Sequence, residues 1–225
     1  LKKNNVPIAA IVDLRNNPDG ELVAQVRSEG ITIYPGHAIV STAGYLRIKS
    51  AKIMQLSEDG SKLIGSMKEI RCDSIGMSGG WNPTLHLFSQ SGGKLKWDEE
   101  LAQFLPKTAT QHLVSIGGCD GTQGLSNCLK AGLKAGAESA RATNNKGRAP
   151  RLPKVTEPKY NDQRTIWLIP PERTDEKVSK HFVDFQNDVT ASDIGLAARE
   201  GYRSVEHLKR YTTMGMGTDQ GKTSN

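Results

Sequence analysis

The 225 residues, 24.5 kDa, suffice for one large domain or for a medium domain with a small partner. Apolar residues at 36%, with 5% aromatic, are few for a globular chain but more than a disordered one carries. No apolar run approaches the roughly 20 residues that a membrane-spanning helix needs, which excludes such a helix. The net charge of +6 is uneven: residues 1–140 hold 15 basic against 13 acidic side chains, and residues 141–225 hold 15 against 11.

Taken in chain order, the first stretch alternates strand and helix. Ile8-Ala-Ala-Ile-Val12 is short and wholly apolar, the pattern of a buried parallel strand, and it ends at Asp13. Pro18-Asp-Gly20 opens a short helix with Leu22, Val23 and Val26 on one face, and Gly30 closes it. Ile31–Ile33 is the next strand, so the unit is βαβ and its strands are parallel. After Gly36 the pattern becomes antiparallel. His37–Thr42 and Leu46–Leu56 are β-rich runs divided by Ala43-Gly44, and a third run, Lys62–Ile70, follows the turn Glu58-Asp-Gly60. Cys72–Met77 is expected to return to the main sheet before the glycine-rich loop Ser78–Pro83.

A second strand–loop–helix unit starts at His112–Ile116, continues through Gly117-Gly-Cys-Asp-Gly121, and ends in a long amphipathic pattern over Leu125–Ala140. Arg141, Lys146, Arg148, Arg151, Lys154 and Lys159 then lie among Asn144, Asn145, Gly147, Pro150, Pro153 and Pro158, which is linker chemistry more than a phosphate-binding face. Thr165–Ile169 is a candidate strand, and 174–225 reads as short helices. Thr190-Ala-Ser-Asp193 has the form of a capping box before Ile194, Leu196 and Ala197; Gly201 stops that helix and Ser204 caps the next.

The strongest local signal for chemistry is Gly117–Gly121. A glycine-rich turn between strand and helix lets a phosphate approach the backbone, and the helix start supplies unpaired N–H groups. The same glycines also serve a tight left-handed turn with no ligand at all. Asp13, at a strand end, has two readings: a carboxylate accepting hydrogen bonds from an adenosine ribose, or one in water. The loop Ser78–Pro83 either covers a cofactor or packs Trp81 over the sheet edge, with packing preferred. Trp97-Asp-Glu-Glu100, beside Lys94 and Lys96, reads as a solvated surface. The five histidines are scattered without ligand spacing, and Cys72, Cys119 and Cys128 contain no CxxC pair, so neither a metal site nor a disulfide scaffold is expected. Isolated thiols fit a reducing compartment, and a cytoplasmic location is expected.

Three stretches resemble the α subunit of heterotetrameric sarcosine oxidase: Ser78-Gly-Gly-Trp-Asn-Pro-Thr-Leu-His-Leu87, His181-Phe-Val-Asp-Phe-Gln-Asn-Asp-Val-Thr190, and Glu200–Thr213 running on through Gly217–Asn225. The resemblance covers essentially the whole chain. It implies an α/β fold: a Rossmann-like FAD/NAD(P)-binding domain of disulfide-reductase type, truncated at its N-terminus, over 1–140 with an antiparallel insertion. A Pro-rich basic linker over 141–164 and a small all-α ferredoxin-like module over 165–225 would follow. With Leu at position 1, the chain is expected to be a central piece of a longer subunit.

The function that the resemblance implies is oxidation of sarcosine by oxygen to glycine and hydrogen peroxide. The one-carbon product is formaldehyde or 5,10-methylenetetrahydrofolate. The implied cofactors are NAD (or FAD) on the α subunit, FAD and FMN on the β subunit, and tetrahydrofolate on a C-terminal domain outside this chain. The implied partners are the β, γ and δ subunits, with no nucleic acid and no membrane. By the same resemblance Gly117, Gly118 and Gly121 match the second glycine loop touching the dinucleotide. Related flavoproteins place an Asp after the first glycine, where this chain has Gly118, with Asp120 two positions on. Related modules bind [2Fe–2S] through C-x-C and a later C-x4-C; those four places here are Asp184, Gln186, Asp219 and Ser224. A cluster needs thiolates, so no iron–sulfur cluster is expected. No catalytic residue is assigned, and the chain alone is expected to be inactive. The alternatives are a subunit of a related heteromeric amine or amino-acid dehydrogenase, or a non-enzymatic basic binding module.

Overall fold

The computed structural model describes residues 1–145, 147, 150–157, 164–171 and 180–221. They form two compact units: one comprises Leu1–Pro18, Val26–Ser74 and Ile166–Asn225, the other Asp19–Gln25 and Ile75–Thr165.

The first unit opens as the sequence predicts. Strand β1 (Ile11–Asp13) and strand β2 (Ile33–Pro35) pair in parallel, with Val12 opposite Tyr34, and helix α1 (Glu21–Ser28) lies between them in the chain. The antiparallel sheet follows at once: β3 (His37–Gly44), β4 (Ile48–Leu56) and β5 (Leu63–Arg71), in the order β3-β4-β5. Being central, β4 is covered on both faces, and Ser50, Ala51, Ile53, Met54 and Leu56 are all buried. The outer strand β5 turns Lys68, Glu69 and Arg71 to solvent, charges that discourage further pairing along that edge. The β3–β4 turn requires glycine. Gly44 has φ +142°, and a Cβ there would lie 2.0 Å from the Arg47 carbonyl oxygen. The β4–β5 turn is held by Asp59, whose carboxylate accepts from Ser57 Oγ at 2.5 Å, Ser61 N at 3.1 Å and Ser61 Oγ at 2.6 Å.

The second unit differs more from expectation. Cys72 N still donates to Lys49 O at 3.2 Å, but Asp73–Met77 then leave the sheet and form no strand. His112–Ile116 is not a strand either. Ile116 is extended (φ −141°, ψ 163°), yet no neighbouring strand pairs with this segment among the described residues. Periodicity reports an extended backbone, not a partner. Two elements went unread in the sequence: a short helix, α2 (His86–Gln90), and an antiparallel hairpin, β6 (Lys94–Asp98) with β7 (Gln103–Thr108). In that hairpin Trp97 faces Phe104 edge-on, with ring centroids 5.0 Å apart. The long helix α3 (Leu125–Ala142) forms where its pattern predicts and takes in Arg141. Lys146, Arg148 and Lys159 of the expected linker lie outside the described residues.

The last stretch is not wholly helical. Thr165–Ile169 forms no strand, but β8 (Phe182–Asp184) and β9 (Val189–Thr190) make an antiparallel pair ahead of helices α4 (Ala191–Arg199) and α5 (Val205–Thr212). The capping box is present in full. Thr190 Oγ1 accepts from Asp193 N at 3.4 Å, and Asp193 Oδ2 accepts from Thr190 N at 2.8 Å. The whole is a mixed α/β fold with open sheets. Parallel pairing among the described residues is confined to β1 and β2.

Candidate nucleotide-binding site

Asp13 ends β1 at the carboxyl edge of the parallel pair, where ligands of open α/β sheets bind. Its carboxylate is engaged by Arg15. Nε donates to Oδ1 at 3.0 Å, Nη2 to Oδ2 at 2.6 Å, and the Arg15 backbone N–H also donates to Oδ1 at 2.9 Å. Partial burial pushes the Asp13 carboxyl upward. The hydrogen bonds and charge of Arg15 outweigh it and hold the group below the usual carboxylate range. Asp13 is therefore neither bare nor simply in water; it is half of a forked ion pair. The signal for Arg15 in the sequence is its spacing, Asp-x-Arg across a strand end.

Gly117, Gly118, Cys119 and Asp120 form one 3-10 turn, closed by Gly121 in the left-handed conformation (φ +80°, ψ 3°). The structure separates the roles of these glycines. A Cβ on Gly118 would meet no atom within 4 Å, so its backbone is open to approach. A Cβ on Gly121 would lie 2.8 Å from Leu105 Cδ2 and 3.0 Å from Leu101 Cδ1, so Gly121 serves packing on the β6–β7 hairpin. A Cβ on Gly117 would reach only Cys128 Sγ, at 3.8 Å. Asp120 is committed within its own turn, its Oδ1 accepting from Thr122 N at 3.0 Å. Gly124 caps α3 without a side chain, and the Glu157 carboxylate reaches Ser126 N just behind it. Nothing local in the sequence could have announced a contact across 31 positions.

Trp81 does not pack: it is 90% exposed, and the apolar anchors of its motif are the buried Leu85 and Phe88 instead. Trp97 is exposed, as expected, and meets Phe104 edge-on on the open face of the hairpin. The described histidines, cysteines and carboxylates form no group able to hold a metal ion.

The four cluster-ligand places can be followed for three residues, because Ser224 lies outside the described ones. Asp184, 1% exposed, ends β8 and accepts from Gln186 N (2.8 Å) and Asn187 N (3.3 Å) on Oδ1, and from Gly215 N (2.8 Å) on Oδ2. The Gly215 bond first, then burial acting against it, then the other two amides decide its acidity. The net effect holds the carboxyl low despite the opposing charge of Asp219. Gln186 lies against Gly217, and Asp219 closes its own turn on Gly221 N at 3.2 Å. The Asp184 and Asp219 carboxylate oxygens are thus already accepting from backbone N–H groups. The donor set does not fit an iron–sulfur cluster.

The sarcosine oxidase A3 domain family matches residues 178–225. Over 96% of this chain, the sarcosine oxidase α subunits of Corynebacterium sp. strains U-96 and P-1 are 33% and 31% identical to it. That of Rhizobium meliloti strain 1021 is 41% identical over 72% of the chain. The chain spans 22%, 22% and 16% of the length of these three curated relatives. The crystal structure of L-proline dehydrogenase from P. horikoshii superposes on 96% of the chain and 42% of its own, with TM-score 0.57 at 16% identity, a likeness of fold. With identities above 30% along nearly its whole length and a domain family matched at its end, this chain belongs to the sarcosine oxidase α-subunit family.

Proposed function

We propose that this chain is the nucleotide-binding and scaffolding part of a heterotetrameric sarcosine oxidase. The complex oxidises sarcosine with oxygen to glycine and hydrogen peroxide, with formaldehyde or 5,10-methylenetetrahydrofolate as the one-carbon product. The observation that carries this reading is the open backbone of Gly118 in a turn that leads into α3, in a chain 33% identical to a sarcosine oxidase α subunit. In this reading Gly117 and Gly118 face the phosphates of NAD, or of FAD in its place. Gly121 and Asp120 shape that turn without touching the ligand. Asp13, oriented by Arg15 in the other compact unit, is proposed separately, as an acceptor for a ribose hydroxyl. Residues 1–140 form the Rossmann-like FAD/NAD(P)-binding domain, 141–164 a linker, and 165–225 a ferredoxin-like module without its cluster. In the last, the Asp184 hydrogen bonds do the holding. FAD and FMN would be carried by the β subunit, where a flavin would accept the substrate's hydride. The γ and δ subunits and a tetrahydrofolate-binding domain complete the assembly. No described helix is long and apolar enough to cross a membrane.

The test is sarcosine-dependent peroxide release by the full-length subunit co-expressed with its partners, beside the 225-residue chain alone. Release by the complex and none by the chain supports the reading. A complex that oxidises other amines but not sarcosine contradicts it, and supports the amine-dehydrogenase alternative.

A further inference from the structure

Helix α3 starts without the means to satisfy its own first turn. Its cap residue, Gly124, has no side chain, and no acidic residue stands in the first turn, so the N–H groups there lack a local acceptor. The acceptor comes from 31 positions further on. Glu157 Oε1 takes the Ser126 N–H, and both of its carboxylate oxygens sit 3.1–3.2 Å from where a Cβ would stand on Gly124. The negative charge therefore lies over the positive end of the helix. The segment leading to it is otherwise thinly held. Of residues 150–157 only Val155 and Glu157 are half-buried; Arg151, Leu152, Pro153, Lys154 and Thr156 face solvent. The segment is thus a strap whose described hold on α3 is the Glu157 carboxylate.

We propose that Glu157 is a latch: its carboxylate is the cap that α3 lacks, and this contact decides whether the strap 150–157 lies along the helix start or swings free. With the latch closed, the first-turn N–H groups next to the glycine loop are covered by a carboxylate of the chain itself. With it open, both they and the strap are exposed. The basic, Pro-containing stretch is then a fastened element whose release is governed by one side chain, not an idle spacer.

The strap carries its own reporter, since trypsin cuts after Arg151 and Lys154, both exposed and three to six positions from the latch. When opening is fast relative to cutting, the cleavage rate follows the population of the open form. E157A is expected to be cut at these two bonds about fivefold faster than the native chain, the factor corresponding to about 1 kcal/mol for a lost cap. Hydrogen exchange at the Ser126 amide should quicken by a similar factor. E157Q keeps a neutral acceptor oxygen and should fall between the two. E138Q, which removes the same charge from the exposed C-terminal part of α3, should leave both readouts unchanged. Exchange in β3 and β4 reports whether the rest of the fold is intact. Native-like cleavage of E157A, an unaltered Ser126 amide, an equal effect of E138Q, or a general acceleration that includes β3 and β4 would each overturn the latch.

Discussion

Gly118 and Gly121 stand three residues apart in one turn, and the geometry predicts opposite results for the same substitution. In Gly121→Ala two costs combine. A non-glycine residue at φ +80° carries about 1–2 kcal/mol of left-handed strain. The new methyl also sits 2.8 Å from Leu105 Cδ2 and 3.0 Å from Leu101 Cδ1; Leu105 is only 7% exposed and cannot swing away, so overpacking adds about 1–3 kcal/mol. The narrower unfolded ensemble of alanine returns about 0.4–1 kcal/mol. The net expectation is a loss of about 2–3 kcal/mol in the hairpin's local stability. Native-state hydrogen exchange at Phe104 and Leu105 should read this as an acceleration of roughly 30- to 150-fold. Gly118→Ala meets open space and should stay within about 0.5 kcal/mol of the native chain. In the full-length subunit it should nevertheless weaken dinucleotide binding about tenfold, because the methyl stands where a phosphate approaches the backbone. A destabilised Gly118→Ala together with a neutral Gly121→Ala would refute the assignment of one glycine to packing and the other to the ligand.

Other consequences follow from the carboxylates and the caps. Thr190→Ala breaks the capping box of α4 and should cost about 1 kcal/mol, read as faster exchange at the Asp193 amide. Asp184 titrates below its ordinary value of 3.8 when folded, so its stabilising contribution is complete above that value. It is lost as pH falls through the lower folded value, and the amides of Gln186, Asn187 and Gly215 should lose protection together there. Asp184→Asn should remove that step, since an amide does not titrate there, and should lower protection at all pH because its nitrogen cannot accept on one of the two sides. Arg15→Ala takes away the guanidinium and leaves only the backbone N–H of that position to oppose burial; an NMR titration should show the Asp13 carboxyl moving upward.

Much of the architecture was legible because it is local. The βαβ opening shows in the apolar run before Asp13 and in Gly30; the three-stranded sheet shows in its turn residues; the capping box shows in the spacing of Thr190 and Asp193. What escaped depends on partners distant in sequence. Leu95, Trp97 and Phe104 form a hairpin through cross-strand contact, while Lys94, Lys96 and Pro106 mask the alternation. His112–Ile116 has the composition of a strand but no neighbour to pair with among the described residues, and β8 and β9 are too short to register as a period. The site was legible by type and not by role. Composition marked Gly117–Gly121 as one loop. Only the surroundings distinguish the open Gly118 from the packed Gly121, and only the fold brings Glu157 onto α3.

The most direct test of the nucleotide-binding account is mass identification of what the full-length subunit containing this segment releases on denaturation, native and with Asp13→Ala. The account predicts about one NAD or FAD per native subunit and a clear loss of it in the variant. A native subunit that releases no dinucleotide, or a variant that keeps it in full, would contradict the account.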